Sequence, residues 1–377
     1  MKKLSVFICL HLWTIFLFFP VSAQDFKTIR DGIEYAEMTR GTKEEPLRVN
    51  LLKLDLTKVR LDVVHAMDAA IGLEKTSSIA ARYGALAAIN AGFFRLDNSI
   101  FRGDATGVLM IDGKLFSESY ERRTVLLISN QATRTEVAFE KLTSEIPLEF
   151  NKGYIHPLGI NRQRADDDFV IYTPEFHRTT LTNENGTEIV VRRNKVVQIY
   201  EGKGSSPIPA DGFVLSLSGS YRKNIKKLPR IGAKIRYSGA VFGTSSNQNL
   251  GSVLNEDIVG GVPQLIKNGR IEITWEREKA GKSFVETRHP RTAVAKLKDG
   301  KFLMVAVDGR QADYSVGMNL NELAAFLLEL GATDAMNLDG GGSTTMFLDG
   351  KIVNKPSDKE GERSVSDAIL VFPRKSK

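Results

Sequence analysis

The chain has 377 residues, 42% of them hydrophobic, enough to bury a large core and to exclude an intrinsically disordered protein. Its formal charge of +7 is mild, and the basic residues are interspersed with acidic ones without a basic helix or interleaved aromatics. No nucleic-acid partner is therefore expected. The single cysteine, Cys9, lies near the start, so the rest of the chain has no disulfide and no thiol for nucleophilic or metal chemistry.

Met1-Lys2-Lys3 is basic, positions 4–19 are almost wholly apolar, and Val21-Ser22-Ala23 offers small residues for cleavage before Gln24. Residues 1–23 read as a signal peptide. The apolar stretch is shorter than the roughly 20 residues of a spanning helix, so no stable membrane span is expected after its removal. The charge then becomes +5, because Lys2 and Lys3 leave and no acidic residue does. A large exported protein without disulfides suits a bacterial periplasm or exterior, and the localisation expected is periplasmic or secreted.

Short apolar runs closed by glycine turns dominate the rest of the chain, with few helical stretches. The first informative one, 85–89, ends in Asn90-Ala91-Gly92-Phe93-Phe94. It reads either as a strand and turn with buried phenylalanines, or as a site in which Asn90 binds a hydroxyl or phosphate and Phe93 offers a platform to a sugar ring. Asp112-Gly113, Asp299-Gly300 and Asp349-Gly350 each separate apolar alternations, the strongest short hairpin signal. From 133 to 245 the chain is more polar, compatible with a β-rich insertion. Asp166-Asp167-Asp168 could ligate calcium but lacks the spaced oxygen ligands of a dedicated loop, and reads more simply as a solvated turn.

The C-terminal third supports a geometric expectation. A two-residue turn at Asp299-Gly300 would pair Thr292 with Val307 and bring Arg291 opposite Asp308. Asn319 and Glu322 form a capping-box pattern ahead of a helical face over 320–330, and Gly331 is a fitting stop. A strand, helix, strand succession ending at 334–338 most simply makes a parallel pair. Asp308-Gly309-Arg310 and Asn337-Leu338-Asp339-Gly340 would then share one sheet edge. There Gly340, Gly341 and Gly342, followed by Ser343, Thr344 and Thr345, form either a flexible turn or a concave donor surface for an anion.

Taken in order, Asn90 to Phe94, Gly107 to Gly113, Gly260-Gly261-Val262-Pro263-Gln264-Leu265, His289-Pro290-Arg291-Thr292-Ala293, Asp308-Gly309-Arg310, Asn337 to Met346 and Val365-Ser366-Asp367-Ala368 resemble the phosphodiester glycosidase family. Its members include the enzyme that uncovers mannose 6-phosphate and bacterial relatives associated with exopolysaccharides. The resemblance covers roughly residues 85–372. It implies hydrolysis of a sugar-1-phosphate diester to free sugar and a phosphomonoester, with a phosphorylated carbohydrate as substrate. Arg291 and Arg310 would grip phosphate oxygens, with Thr292, Asn337, the triglycine amides and the three hydroxyls completing the cradle. Asp339 is the first candidate for general base or charge stabiliser and Asp308 the second, with Glu286 and His289 in reserve as acids.

The expected fold is α+β: a strand-rich mixed sheet with flanking helices, a cleft at the strand ends, and one composite domain over 24–377. These residues identify no cofactor, and a divalent cation is compatible with them. Two rival functions stay open: a non-catalytic module binding phosphorylated glycans, and a metal-dependent phosphodiesterase attacking phosphorus.

Overall fold

The computed structural model describes residues 26–120, 122–224, 229–237, 240–243 and 257–374. Residues 1–23, expected to be a signal peptide and containing Cys9, lie outside the described residues. Strands greatly outnumber helices, so the architecture is mostly β and α+β fits it only loosely.

The sheet that positions the site has eight strands, in the order Lys27–Arg30, Ile33–Gly41, Pro46–Leu54, Phe302–Val307, Arg291–Leu297, Ala332–Asn337, Gln264–Lys267 and Arg270–Ile271. Every neighbouring pair in it is antiparallel, which corrects the expected mixed sheet. Phe302–Val307 is buried at every position because both faces are covered. On one side Leu320–Glu329 lays Leu320, Leu323, Ala324 and Leu327 against Val305, Val307 and Ala335. On the other, Met304, Ala306 and Met336 join the largest core cluster.

That cluster is shared with a second sheet, ordered Lys351–Ile352, Met346–Leu348, Ala87–Asn90, Asp367–Pro373 and Val59–His65. Two further sheets, containing Thr124–Asn130 and Thr187–Arg192, enclose a separate core built on Leu127, Ile171, Ile189 and Leu215.

The turn chemistry explains the local register. Asp112 (φ 49°) and Gly113 (φ 74°) form a two-residue loop of type I′, and Asp349 (φ 47°) with Gly350 (φ 88°) forms another. Asp299-Gly300 differs. Leu297 N–H donates to the Lys301 carbonyl at 2.9 Å and Gly300 has φ 81°, so the loop has three residues. The register therefore moves by one: Arg291 pairs with Val307 and Thr292 with Ala306, and Arg291 is not opposite Asp308.

The capping box is present as expected, with Asn319 accepting from the Glu322 amide and Glu322 accepting from the Asn319 amide, and Gly331 (φ 87°) follows the helix. Phe302–Val307 and Ala332–Asn337 do run in the same direction, but Arg291–Leu297 lies between them, antiparallel to each. The inserted strand preserves the shared edge, since its amino end meets the carboxyl ends of both neighbours there.

Candidate functional site

At that edge the backbones of three segments interlock. Gly341 N–H donates to the Pro290 carbonyl and Leu338 N–H to the Thr292 carbonyl, both at 2.9 Å, while Asp339 N–H donates to the Ala91 carbonyl at 3.0 Å. A Cβ on Gly340 would lie 2.8 Å from the Pro290 carbonyl oxygen, so the close crossing of these two segments requires glycine there. Asn90 joins the second sheet to the first: its Nδ2 donates to the Asp339 carbonyl, and its Oδ1 accepts from Thr292 Oγ1 and the Thr345 amide. Buried as it is, Asn90 acts as a brace rather than an open ligand.

The triglycine is less open than its composition implies. Gly341 N–H is used on Pro290, Ser343 N–H donates to the Gly340 carbonyl, and Thr344 N–H to the Gly341 carbonyl, in a short 3₁₀ turn Gly341–Ser343. Side chains fill the space the glycines vacate. A Cβ on Gly341 would lie 3.0 Å from Arg310 Nη2, and one on Gly342 would collide with Arg363 and Asp358. Two buried polar atoms nearby, Asn337 Oδ1 and Thr345 Oγ1, have no hydrogen-bond partner among the described residues, a state that usually marks a missing water or ligand.

Arg291 is 1% exposed, and its Nε and Nη2 donate to the carbonyls of Met318, Phe284 and Thr287 at 2.7–2.9 Å. Its guanidinium stacks 5.0 Å over the Phe284 ring, which Phe93 meets edge-on at 6.1 Å. Arg310, held at a left-handed φ of 60°, lies within 3.3 Å of His289 Nδ1. Neither arginine forms an ion pair with a carboxylate among the described residues. Burial, and then the neighbouring Arg310, pulls Arg291 down to about 10. Burial together with Arg291 and Arg310 lowers His289, which favours the neutral imidazole.

The carboxylates separate into distinct environments. Asp339 is pushed up to about 7 by burial, while the Ser343 hydroxyl, Arg363 and the Gly340 amide pull in the opposite direction. Asp308 is raised to about 6 by burial, and its Oδ1 accepts from Asn354 Nδ2 and the Lys355 amide. It makes no pair with Arg291. Glu286 is exposed beside Lys282, at 3.6 Å, and does not join the buried groups.

Several residues at this edge were not legible in advance. Phe284, Asn354, Asp358 and Arg363 belong to loops and a short helix without a sequence signature. Asp367, within the Val365 to Ala368 motif, is buried and accepts from the Gly92 amide. Elsewhere, Asp167 accepts from Ser220 and Asp168 from Arg162, so the Asp166 to Asp168 turn is engaged within the fold. Among the described residues no three His, Cys, Asp or Glu side chains converge as metal ligands. Cavities bordered by Phe26, Lys53 and Leu330, or by Leu56, Val137 and Lys296, occupy the opposite, hairpin end of the same strands.

Comparison with known proteins adds an independent line. Residues 185–372 match the family described as phosphodiester glycosidase. An uncharacterized protein of Rickettsia conorii is 26% identical over 234 residues, 61% of this chain and 77% of that one. The N-acetylglucosamine-1-phosphodiester alpha-N-acetylglucosaminidase of Mus musculus is 32% identical over 162 residues, 40% of this chain. That match spans only 30% of the mouse enzyme. A solved structure from Burkholderia pseudomallei, described as exported, superposes with a TM-score of 0.76 at 27% identity, covering 87% of this chain and 74% of that one.

Proposed function

We propose, from the premise that residues 185–372 are a phosphodiester glycosidase domain, that this chain hydrolyses a glycosyl phosphodiester to the free sugar and a phosphomonoester. The observation that carries the reading is the pairing of two arginines lacking a carboxylate counter-ion with a carboxylate whose pKa lies near neutrality. A buried cation without a partner charge is costly, and an anionic ligand relieves that cost. Arg291 keeps Nη1 for such a ligand, since its other nitrogens are held by backbone carbonyls, and Arg310 presents its fork above Gly341.

In this reading the diester phosphate lies across the two guanidinium groups, and the sugar ring extends toward Phe93. Water attacks the anomeric carbon and passes its proton to the Asp339 carboxylate. The electrons of the breaking carbon to oxygen bond go to the phosphate, which gains a second negative charge stabilised by both arginines. With its pKa pushed up to about 7, Asp339 can take that proton and release it to solvent before the next turnover. His289, neutral beside Arg310, is the second group able to move a proton. The substrate class is a phosphorylated glycan outside the cytoplasm, in keeping with the exported description of the Burkholderia relative. No described helix is long and apolar enough to cross a membrane.

Hydrolysis in ¹⁸O-labelled water tests the reaction. Label in the sugar supports attack at carbon. Label in the phosphate means attack at phosphorus and overturns the reading, and binding without turnover on any glycosyl phosphodiester would leave a glycan-binding module.

A further inference from the structure

Arg363 and Asp358 form a bidentate pair directly over the triglycine. Arg363 Nε donates to Asp358 Oδ2 at 2.7 Å and Nη2 to Oδ1 at 3.0 Å, with side chains 26% and 32% exposed. The pair occupies the volume beside Gly342, where a Cβ would overlap both Arg363 Nη2 and Asp358 Oδ1. It is no loose surface contact. The segment carrying it is tied at one end to Asp308 Oδ1, through Asn354 Nδ2 and the Lys355 amide at 3.0 and 2.9 Å. At the other end Glu362 accepts from the Ser77 amide at 2.8 Å. A turn between Asp358 and Gly361 fixes the aspartate itself. Arg363 is close enough to Asp339 to hold down its pKa.

The anion site thus has a third arginine, and unlike Arg291 and Arg310 it already has a carboxylate in its fork. We propose that Asp358 sets the charge selectivity of the site, weakening the hold on a dianionic monoester more than the hold on a monoanionic diester and so easing product release. This rests on the reading of Arg291 and Arg310 as the phosphate-binding pair. The physical reason is Coulombic. A fixed negative charge repels a ligand in proportion to the ligand's own charge, so Asp358 opposes the product twice as strongly as the substrate. An uncompensated three-arginine cradle would bind the dianionic product more tightly than the diester and stall on it.

The test uses two small probes at pH 8, dimethyl phosphate as the monoanion and methyl phosphate as the dianion, with binding followed by calorimetry. Asp358→Asn is expected to tighten dimethyl phosphate about threefold and methyl phosphate about tenfold, the doubling of the logarithm that Coulomb's law requires. Asp358→Asn combined with Arg363→Gln restores the wild-type charge balance and should restore the wild-type ratio of the two affinities. Equal tightening of both probes, or none, overturns the proposal. So does a wild-type protein that already prefers methyl phosphate by about tenfold or more, a measurement that needs no variant to fold. Failure of both probes to bind wild type and variants alike overturns the anion-site reading together with this inference, whereas binding with an unchanged ratio overturns this inference alone.

Discussion

Asn90 and Asp339 come from different sheets and are joined by a 2.6 Å hydrogen bond from the Asn90 side chain to the Asp339 carbonyl. The bond fixes the backbone from which the Asp339 carboxylate projects, because the Asn90 Oδ1 is itself held by Thr292 and the Thr345 amide. Removing the brace should therefore reach the chemistry without touching the carboxylate. Asn90→Ala is expected to lower kcat more than it raises KM, and to destabilise the fold by about 1–3 kcal/mol through the buried groups left unpaired. Steady-state kinetics beside urea unfolding would check both effects.

Asp339→Asn keeps volume and removes both charge and basicity. Turnover on a soluble glycosyl-phosphate diester, read as released reducing sugar, should fall by about 10²–10⁴-fold with calorimetric affinity little changed. Near wild-type turnover would move the catalytic role to His289 or Asp308.

The same substitution gives a stability test with a definite sign. Burial raises Asp339 from 3.8 to about 7, so between those values the folded state binds the proton more strongly than the unfolded chain. Stability from this group is full below about pH 4 and falls as pH rises through 7. Asp339→Asn cannot ionise and escapes that loss. Its Tm relative to wild type should increase by roughly 2 °C or more between pH 4 and pH 8. A difference that is flat with pH would show that the carboxylate is not desolvated as described.

Arg291 and Arg310 should behave differently despite the phosphate-binding role proposed for both. Arg291 satisfies three backbone carbonyls, so Arg291→Lys is expected to cost about 2–4 kcal/mol of stability as well as weakening anion binding. Arg310 carries no backbone carbonyl in its fork. Arg310→Gln should weaken phosphate or sulfate binding about tenfold while leaving stability within about 0.5 kcal/mol. Chemical denaturation and calorimetry on both variants separate the two.

Asn319→Ala provides a control remote from the chemistry. Losing the capping box should lower stability by about 1 kcal/mol with kinetics unchanged. Altered kcat would mean that the helix Leu320–Glu329 transmits to the site.

The sequence is most readable where a local rule acts alone. Asp112-Gly113 and Asp349-Gly350 are set by the positive φ angles of a type I′ turn, and the helix start at Asn319 by its capping box. Asp299-Gly300 uses the same residues in a three-residue loop, because dipeptide composition does not distinguish two closures that each need a glycine at positive φ. The shared edge of Asp308 and Asp339 follows from chain direction, which an intervening strand leaves unchanged. What escaped was side-chain economy. The Arg291 fork spent on carbonyls, the brace made by Asn90 and the ion pair filling the space beside Gly342 depend on partners distant in sequence.

The matched span 185–372 omits Pro46–Leu54, whose six residue pairs with Phe302–Val307 complete the sheet. A protein cut to that span would present Phe302 to Val307 as a bare, wholly apolar edge and would lack Asn90 as well. Such an edge invites pairing with other chains. The boundary recognised by homology is thus no boundary for autonomous folding: expressed alone, the fragment should aggregate, and co-expression with residues 26–184 is the arrangement in which its activity could be recovered.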